Sequence, residues 1–230
     1  MVLTNKTTPI EAAIAHIPDG ASVMLGGFGA PGTPFCLIDE LRRQGQKDLT
    51  IIKNDANQAD MGVDWLLEAG QVSKLITSHI GLNPRAVHMM NAGEIEVEFA
   101  PQGILAERIR VAGAGVMGFV TDVGRGTDLA EGKAEFVHEG KVGLFEPALH
   151  ADFALVHAAQ SDSFGNLVYA ATARNFNPLI AMAAAFTIAE AETVLAAGQI
   201  HPDDVHTPAP FVDEIVALPE LPEVYSVIQR

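Results

Sequence analysis

Cysteine is the scarcest chemically reactive residue in this chain: among 230 residues only Cys36 is present, so no internal disulfide can form. We expect Cys36 to be a buried, reduced thiol on a helix face and not a catalytic nucleophile. No basic segment leading into an apolar one opens the chain, and the longest apolar stretch, 179–186, is too short to span a bilayer. A cytoplasmic protein without membrane association is therefore expected.

Positive charge is also scarce, with 14 Lys and Arg against 29 Asp and Glu. Such a chain offers no obvious basic patch, which argues against nucleic acid as a partner. The histidines lack ligand spacing of the H-E-x-x-H kind, so no metal site is predicted. The G-x-S-x-G turn of serine hydrolases is missing as well.

A glycine-rich segment follows the first apolar run of the chain. Residues 23–25 are typical of a buried parallel strand, and four of the seven residues at 26–32 are glycine. We expect Thr33 to N-cap a helix that begins at Pro34 and ends at Gly45. This arrangement directs backbone N–H groups and a helix dipole at a ligand, so it predicts a site for an anion or a developing negative charge. In that case, a side chain at Gly27 or Gly29 should block the approach of the ligand.

The same segment matches G-x-G-x-x-G between Gly27 and Gly32, the pattern of dinucleotide-binding folds. Asp55 even follows the next apolar run, where such folds place the acid that binds the ribose. However, Pro34 should start the helix after Gly32, whereas the third glycine of that pattern lies inside the helix. A nicotinamide-dependent dehydrogenase is thus the weaker alternative. A sugar-phosphate isomerase or sensor, using the loop for phosphate, and a tight turn without a ligand also stay open.

Several multi-residue blocks stand in a characteristic order along the chain. They are Asp19–Pro34, Ser78–Pro84, Pro101–Gly103 running into Ala106–Arg110, Gly113–Gly115, Ala173–Pro178 and Thr207–Pro208. Together they resemble the alpha (A) subunit of family I coenzyme A transferases of the 3-oxoacid or acetoacetate/butyrate type. The resemblance extends over residues 10–216.

Strand and helix signals alternate along the chain, which is typical of an α/β fold. The resemblance implies a three-layer, open, mostly parallel sheet with helices on both faces, in a single domain over residues 1–230. From about Pro219 we expect a flexible, acidic and Pro-rich tail. We predict helices at 10–17 after a capping box at 8–11, and at 34–44, 63–69, 84–91, from 101 and at 178–185; strands at 23–25, 49–53, 74–78, 95–99, 153–158, 167–170 and 186–191; and a hairpin at 136–145 that turns at 139–141.

The resemblance implies transfer of coenzyme A (CoA) between carboxylic acids, with CoA and acyl-CoA as substrates and no permanently bound cofactor. The family's nucleophile is a glutamate in a Ser-Glu-Asn-Gly-like motif of the beta subunit, and this chain has no such motif. Glu131 and Glu139 precede glycines, but they lie among charged residues near the predicted hairpin. The chain should therefore be half an active site, completed by a beta subunit in an α2β2 or similar complex. Its acidic charge is consistent with a shared site, because the partner can supply cations.

Gln102 matches the family's active-site glutamine, and the resemblance implies that its amide stabilises an oxyanion. Asn54, at the end of the second strand, is expected to contact the substrate or to form an Asx turn.

For Arg108 and Arg110 we favour an interface salt bridge, and for residues 174–177 a structural or interface role. The expected acids are acetate, butyrate, acetoacetate or succinate, with 3-oxoadipate as the alternative. The remaining CoA or substrate contacts are expected from Gly26, Gly27, Phe28, Gly29, Ala30, Pro31 and Gly32.

Overall fold

Short apolar runs alternate with amphipathic helices, and in the computed structural model, which describes residues 5–227, they form an α/β fold. The helices are α1 (Ile10–Ile14), α2 (Phe35–Gln44), α3 (Val63–Glu68), α4 (Pro84–Ala92), α5 (Gln102–Gly113) and α6 (Asn177–Ala183). The strands are β1 (Ser22–Leu25), β2 (Leu49–Ile52), β3 (Val72–Thr77), β4 (Glu96–Phe99), β5 (Gly118–Thr121), β6 (Glu135–His138), β7 (Lys141–Pro147), β8 (Ala151–Asp162), β9 (Leu167–Val168), β10 (Ala184–Leu195) and β11 (Glu214–Ala217).

The main sheet has the order β11-β10-β8-β1-β2-β3-β4, and all neighbours along this path are parallel. Strand β9 pairs antiparallel with β8, and β5, β7 and β6 form a separate antiparallel sheet. The expected mostly parallel sheet is confirmed. Within residues 5–227, no helix is long and apolar enough to cross a membrane.

Alternating side chains of the strands supply two hydrophobic cores, one on each face of the main sheet. In β1, Val23 and Leu25 pack into the core that contains residues of α1 to α4, whereas Met24 packs into the core that contains residues of α5 and α6. The same division holds for Ile51 and Ile52 in β2. Helices therefore cover both faces, which confirms the three-layer prediction.

The predicted N-caps of α1 and α2 differ from those in the structure, whereas the predicted end of α2 is correct. Helix α2 begins at Phe35, and Thr33 does not cap it, because the Thr33 hydroxyl donates to the carbonyl oxygen of Gly29 at 2.7 Å. The predicted capping box before α1 is also wrong: the N-cap is Pro9, without a side-chain hydrogen bond. The end of α2 at Gly45 is confirmed, with φ of 80° and its N–H bonded to the Leu41 carbonyl.

The strands depart most from the prediction in the second half of the chain. Strands β8 and β10 each have 12 residues and stay paired from Ala151 opposite Ala184 to Asp162 opposite Leu195. Each runs beyond its predicted segment because the two strands pair with one another along their whole length. Strands β5 and β11 were not predicted. The hairpin of β6 and β7 is confirmed, with positive φ at Glu139 (48°) and Gly140 (76°).

The C-terminal stretch is held against the domain up to Tyr225, contrary to the expectation of a flexible tail. Tyr225 is 4% exposed, and its hydroxyl accepts a hydrogen bond from the Phe35 N–H at 2.9 Å and donates to Glu190. Its ring stacks on His157 with a centroid distance of 4.9 Å. One aromatic residue thus anchors an otherwise polar, Pro-rich segment.

Asp162, the last residue of β8, is a buried carboxylate that organises the turn into β9. Its Oδ1 accepts hydrogen bonds from the N–H groups of Phe164 (3.1 Å), Gly165 (3.0 Å) and Asn166 (3.0 Å). Burial alone would raise the pKa of Asp162, but the hydrogen bonds from Asn166 and the backbone outweigh it and hold this pKa below its ordinary value. Such a group stabilises the fold above its unfolded-state pKa and loses that contribution as the pH falls.

We expect Asp162→Asn to lower the free energy of unfolding by about 2 kcal/mol at pH 7, because it removes a charged acceptor. The loss should shrink as the pH falls below about 4, where the wild-type carboxyl also takes up a proton. Denaturant unfolding at pH 7 and pH 3 measures both values. The exposed Asp122→Asn serves as control, with an expected change below about 0.5 kcal/mol. An equal loss at both pH values would contradict the prediction.

Candidate active site

The glycine loop, residues 26–32, leaves the carboxyl end of β1 and turns tightly before α2. The Gly26 N–H continues the pairing with β8, and the Phe28 N–H closes the turn on the Pro31 carbonyl at 3.1 Å. Gly27 and Gly29 have φ angles of 100° and 61°, a backbone conformation that residues other than glycine rarely adopt. The loop tip carries Phe28, whose side chain is exposed.

Gly27 is required for packing inside the chain and not for the approach of a ligand. A Cβ on Gly27 would lie 2.3 Å from the Thr33 hydroxyl and 2.7 Å from its backbone nitrogen, so packing within the chain itself requires glycine there. A Cβ on Gly29 would meet nothing within 4 Å. Of the two glycines expected to face a ligand, only Gly29 has open space at this position.

The N-terminus of α2 does not offer its N–H groups to a ligand, which corrects that part of the sequence-based prediction. The fully buried carboxylate of Glu190, on β10, accepts a hydrogen bond from the Leu37 N–H at 2.9 Å. The Phe35 N–H is taken by Tyr225, and His157 Nδ1 lies 2.8 Å from the same carboxylate. The anion at this helix end is thus the protein's own glutamate.

Gly29 is instead fixed by a buried ion pair between Lys53 and Asp55, whose charged atoms are 3.3 Å apart. The Gly29 N–H donates to Asp55 Oδ2 at 2.8 Å, and its carbonyl accepts from Lys53 Nζ (3.3 Å) and Asn57 Nδ2 (2.9 Å). Together with the Thr33 hydroxyl, these contacts bind both polar groups of one loop residue. We call Lys53, Asp55 and Asn57 the loop clamp.

The pKa values of both ionisable residues of the loop clamp are shifted from their ordinary values. Burial lowers the pKa of Lys53 below its ordinary value, against the attraction of Asp55. Burial opposes ionisation of Asp55 too, but the Lys53 charge and the N–H donors hold the pKa of Asp55 below its ordinary range. Asp55 is therefore a carboxylate committed to internal contacts, unlike the ribose-binding acid of the dinucleotide alternative.

Gln102 and Asn54 meet at the carboxyl edge of the sheet, next to the loop clamp. Gln102 is the first residue of α5 and is exposed, and its Nε2 donates to Oδ1 of the buried Asn54 at 3.1 Å. Asn54 Oδ1 also accepts from the Ser78 hydroxyl at 3.1 Å, and Asn54 Nδ2 donates to Asp55 Oδ2 at 3.1 Å. Asn54 thus connects the predicted catalytic glutamine to the clamp and does not form an Asx turn.

Some backbone donors of the loop are used within the chain and others are not. Among the described residues, the N–H groups of Phe28 and Gly29 make hydrogen bonds, whereas none is found for those of Gly27 and Ala30. The loop therefore retains N–H donors near the exposed Gln102 edge that can act on an oxyanion.

Comparisons with known proteins show the family of this chain. A family model described as coenzyme A transferase matches residues 7–218. A probable coenzyme A transferase subunit alpha of Bacillus subtilis is 48% identical over 92% of this chain and 93% of its own. The acetate CoA-transferase subunit alpha of Escherichia coli K12 is 42% identical over 95% of this chain and 99% of its own. The chain belongs to the coenzyme A transferase family.

The fold agrees with that of a solved structure. An acyl-CoA transferase from E. coli O157:H7, crystallised as a thioester complex with CoA, superposes with a TM-score of 0.85 at 23% identity. The match covers 95% of this chain and 48% of that chain. This coenzyme A transferase subunit thus spans about half the length of the solved enzyme chain.

Other predicted residues of this transferase subunit have structural partners within the chain. Arg108 binds Glu98 at 3.1 Å and Arg110 binds Glu107 at 2.7 Å, so the structure gives both arginines internal ion pairs. The structural reading of residues 174–177 is confirmed: buried Asn177 donates to the Gly32 carbonyl at 3.0 Å and supports the loop.

Neither cysteine nor metal chemistry is evident in the described part of the transferase subunit. Burial raises the pKa of Cys36 to about 12, with the charge of Glu190 adding to the effect, so the thiol is protonated at neutral pH. Among residues 5–227, no three His, Cys, Asp or Glu side chains are grouped so as to hold a metal ion. Glu131 and Glu139 are exposed.

Lys53 is the site residue that sequence reasoning missed. The predicted second strand, 49–53, contains Lys53 only as its last residue, after the apolar run Leu49–Ile52. A lysine at the end of a buried parallel strand, two residues before an aspartate, is the signal that could have revealed it. Side chains at such a spacing share one side of an extended chain, where opposite charges can pair.

A double-mutant cycle tests the loop clamp. Lys53→Met and Asp55→Asn should each lower the free energy of unfolding by about 3 kcal/mol or more, because each leaves the other group without its partner. The double variant should be more stable than the sum of the two losses predicts, by about 1 kcal/mol or more. Denaturant unfolding of all four proteins gives the coupling. Strictly additive losses would contradict the clamp.

Proposed function

We propose that this chain is the alpha subunit of a heteromeric CoA-transferase and supplies the oxyanion-stabilising half of a shared active site. The observation that carries the proposal is the contact of Gln102 with Asn54 beside the glycine loop. This contact supports a donor site at the carboxyl edge of the sheet, where binding crevices of open α/β sheets occur. A glutamate of the beta subunit is the nucleophile, and the assembly is α2β2 or similar.

The proposed reaction is a covalent, ping-pong exchange. The partner's glutamate oxygen attacks the acyl-CoA carbonyl carbon; the carbon–sulfur bond breaks, giving an acyl-glutamyl anhydride and the CoA thiolate. The thiolate then attacks the glutamyl carbonyl and releases the first acid, leaving an enzyme–CoA thioester. The second acid runs these steps in reverse, which forms the new acyl-CoA and frees the glutamate.

Each tetrahedral intermediate carries a negative oxygen, and the residues of this chain act at that point. Gln102 Nε2 and the N–H groups of Gly27 and Ala30 are the proposed donors, held by Asn54 and the loop clamp. Fixed donors need no reorganisation as charge develops, and a well-placed one contributes about 3 kcal/mol to the transition state. The substrates are acyl-CoA and short-chain acids such as acetate, butyrate, acetoacetate or succinate, and the enzyme works in the cytoplasm.

The chain by itself should be catalytically inactive, because its sequence lacks the Ser-Glu-Asn-Gly-like motif of the nucleophile, which the proposal assigns to the beta subunit. The measurement is CoA transfer from acetyl-CoA to butyrate or acetoacetate, with the purified chain alone and after co-expression with its beta subunit. Activity only in the complex is expected. Ping-pong turnover by the lone chain would overturn the shared active site.

In the assembled enzyme, Gln102→Ala should lower kcat by roughly 10- to 1,000-fold, because a donor to the oxyanion is lost. The KM for acyl-CoA should change much less, since this hydrogen bond strengthens only as charge develops. Gln199→Ala, at an exposed glutamine, is the matched control and should leave kcat unaltered. Steady-state kinetics of both variants decide the matter, and an unchanged kcat in Gln102→Ala would assign Gln102 a structural role.

A further inference from the structure

A cavity of about 240 Å³ opens beside the clamped Gly29. Drug-sized ligands occupy pockets of roughly 300–1,000 Å³, so this cavity suits only a small part of a substrate. His79 reaches it because Asp55 and His79 pair in a parallel bridge beyond the ends of β2 and β3. The lining residues are Phe28, Gly29, Ala30, Asp55, Asn57, Gln58, Met61, His79 and Leu82.

The buried polar groups of the cavity are already satisfied. Asp55 accepts four hydrogen bonds, from the side chains of Lys53 and Asn54 and from the N–H groups of Gly29 and Asn57. The amide of Asn57 also uses both ends, because its oxygen accepts from a backbone N–H at 3.1 Å and its nitrogen donates to Gly29. A ligand group at this floor finds no unpaired buried partner, which favours an apolar group.

The upper walls are apolar and open to solvent. The Phe28 and Leu82 side chains are 48% and 62% exposed, and Met61 completes this wall. Among the described lining residues there is no lysine or arginine, and His79 is the only side chain that can become cationic. The carboxylate of Asp55 lies at the floor.

We propose that this cavity binds the acyl chain of a short aliphatic monocarboxylic acid and excludes a second carboxylate. The inference rests on the proposed CoA-transferase function and specifies its substrate class. An alkyl chain buries apolar surface against Phe28, Met61 and Leu82. A distal carboxylate would instead lose its hydration next to Asp55, and the nearby cation of Lys53 is already paired with Asp55 at 3.3 Å. Of the short-chain acids of the proposed function, the cavity therefore favours acetate and butyrate over succinate, and it disfavours 3-oxoadipate as well.

The first test compares acceptor acids of equal length in the complex with the beta subunit. With acetyl-CoA as donor, kcat/KM for butyrate should exceed that for succinate by roughly tenfold or more. A similar ratio of kcat/KM values is expected for hexanoate over adipate. Equal values for butyrate and succinate would overturn the inference.

Two pairs of variants then place this selectivity in the cavity. Leu82→Arg should raise kcat/KM for succinate relative to butyrate by about tenfold, because it supplies the missing cation, whereas Leu82→Gln should not. Met61→Ala should shift the preference toward hexanoate over acetate, whereas the volume-conserving Met61→Leu should keep the wild-type order.

The outcomes separate this inference from the proposed function. If the complex transfers CoA but none of these variants changes the acid profile, the acyl pocket is overturned and the transferase function stands. If a complex containing both subunits transfers CoA to no acid, the proposed function fails and the pocket inference fails with it.

Discussion

The buried pair of Lys53 and Asp55 is the interaction on which the candidate site depends. Asp55 binds the Gly29 N–H and the Asn54 side chain, while Lys53 contacts both Asp55 and the Gly29 carbonyl. Desolvating two charges is costly, and such pairs often contribute little to stability compared with apolar replacements. Their retention is physically sensible where a backbone segment must keep one position, because preorganised donors lose their advantage when they move.

Two different anchors hold the glycine loop. The clamp, in the segment that follows β2, fixes Gly29 in the middle of the loop. Asn177, at the start of α6, fixes the Gly32 carbonyl, and α6 packs on the opposite face of the sheet. Glu190 and Tyr225 then secure the first turn of α2. The N–H groups at the start of α2 are thereby bonded inside the protein, and the donors of the proposed function are the loop N–H groups and Gln102.

This arrangement also explains how an acidic chain can serve a phosphorylated substrate. With a net charge of −15, the subunit has little positive charge to attract CoA, and several of its arginines are paired internally. Around the glycine loop the chain has neutral amide groups and apolar side chains, and in the proposed function the beta subunit supplies the nucleophile. Neutral donors next to an attacking carboxylate stabilise the oxyanion without holding the carboxylate in a tight ion pair.

The sequence by itself determined the alternation of strands and helices, the glycine turn and the place of Gln102 at a helix start, because these depend on local patterns of apolar residues, glycine and proline. The three layers and the parallel sheet were expected from the family resemblance. The sequence did not determine β5 and β11 or the full lengths of β8 and β10. It also did not reveal that Tyr225 holds the C-terminal segment against the domain. Those features arise from pairing and packing between segments far apart in the chain. The tertiary structure alone decided that Glu190 occupies the N-terminus of α2, that Lys53 and Asp55 hold Gly29, and that His79, Met61 and Leu82 share one cavity. Each of these contacts joins residues on different strands or loops, and only the sheet brings them together.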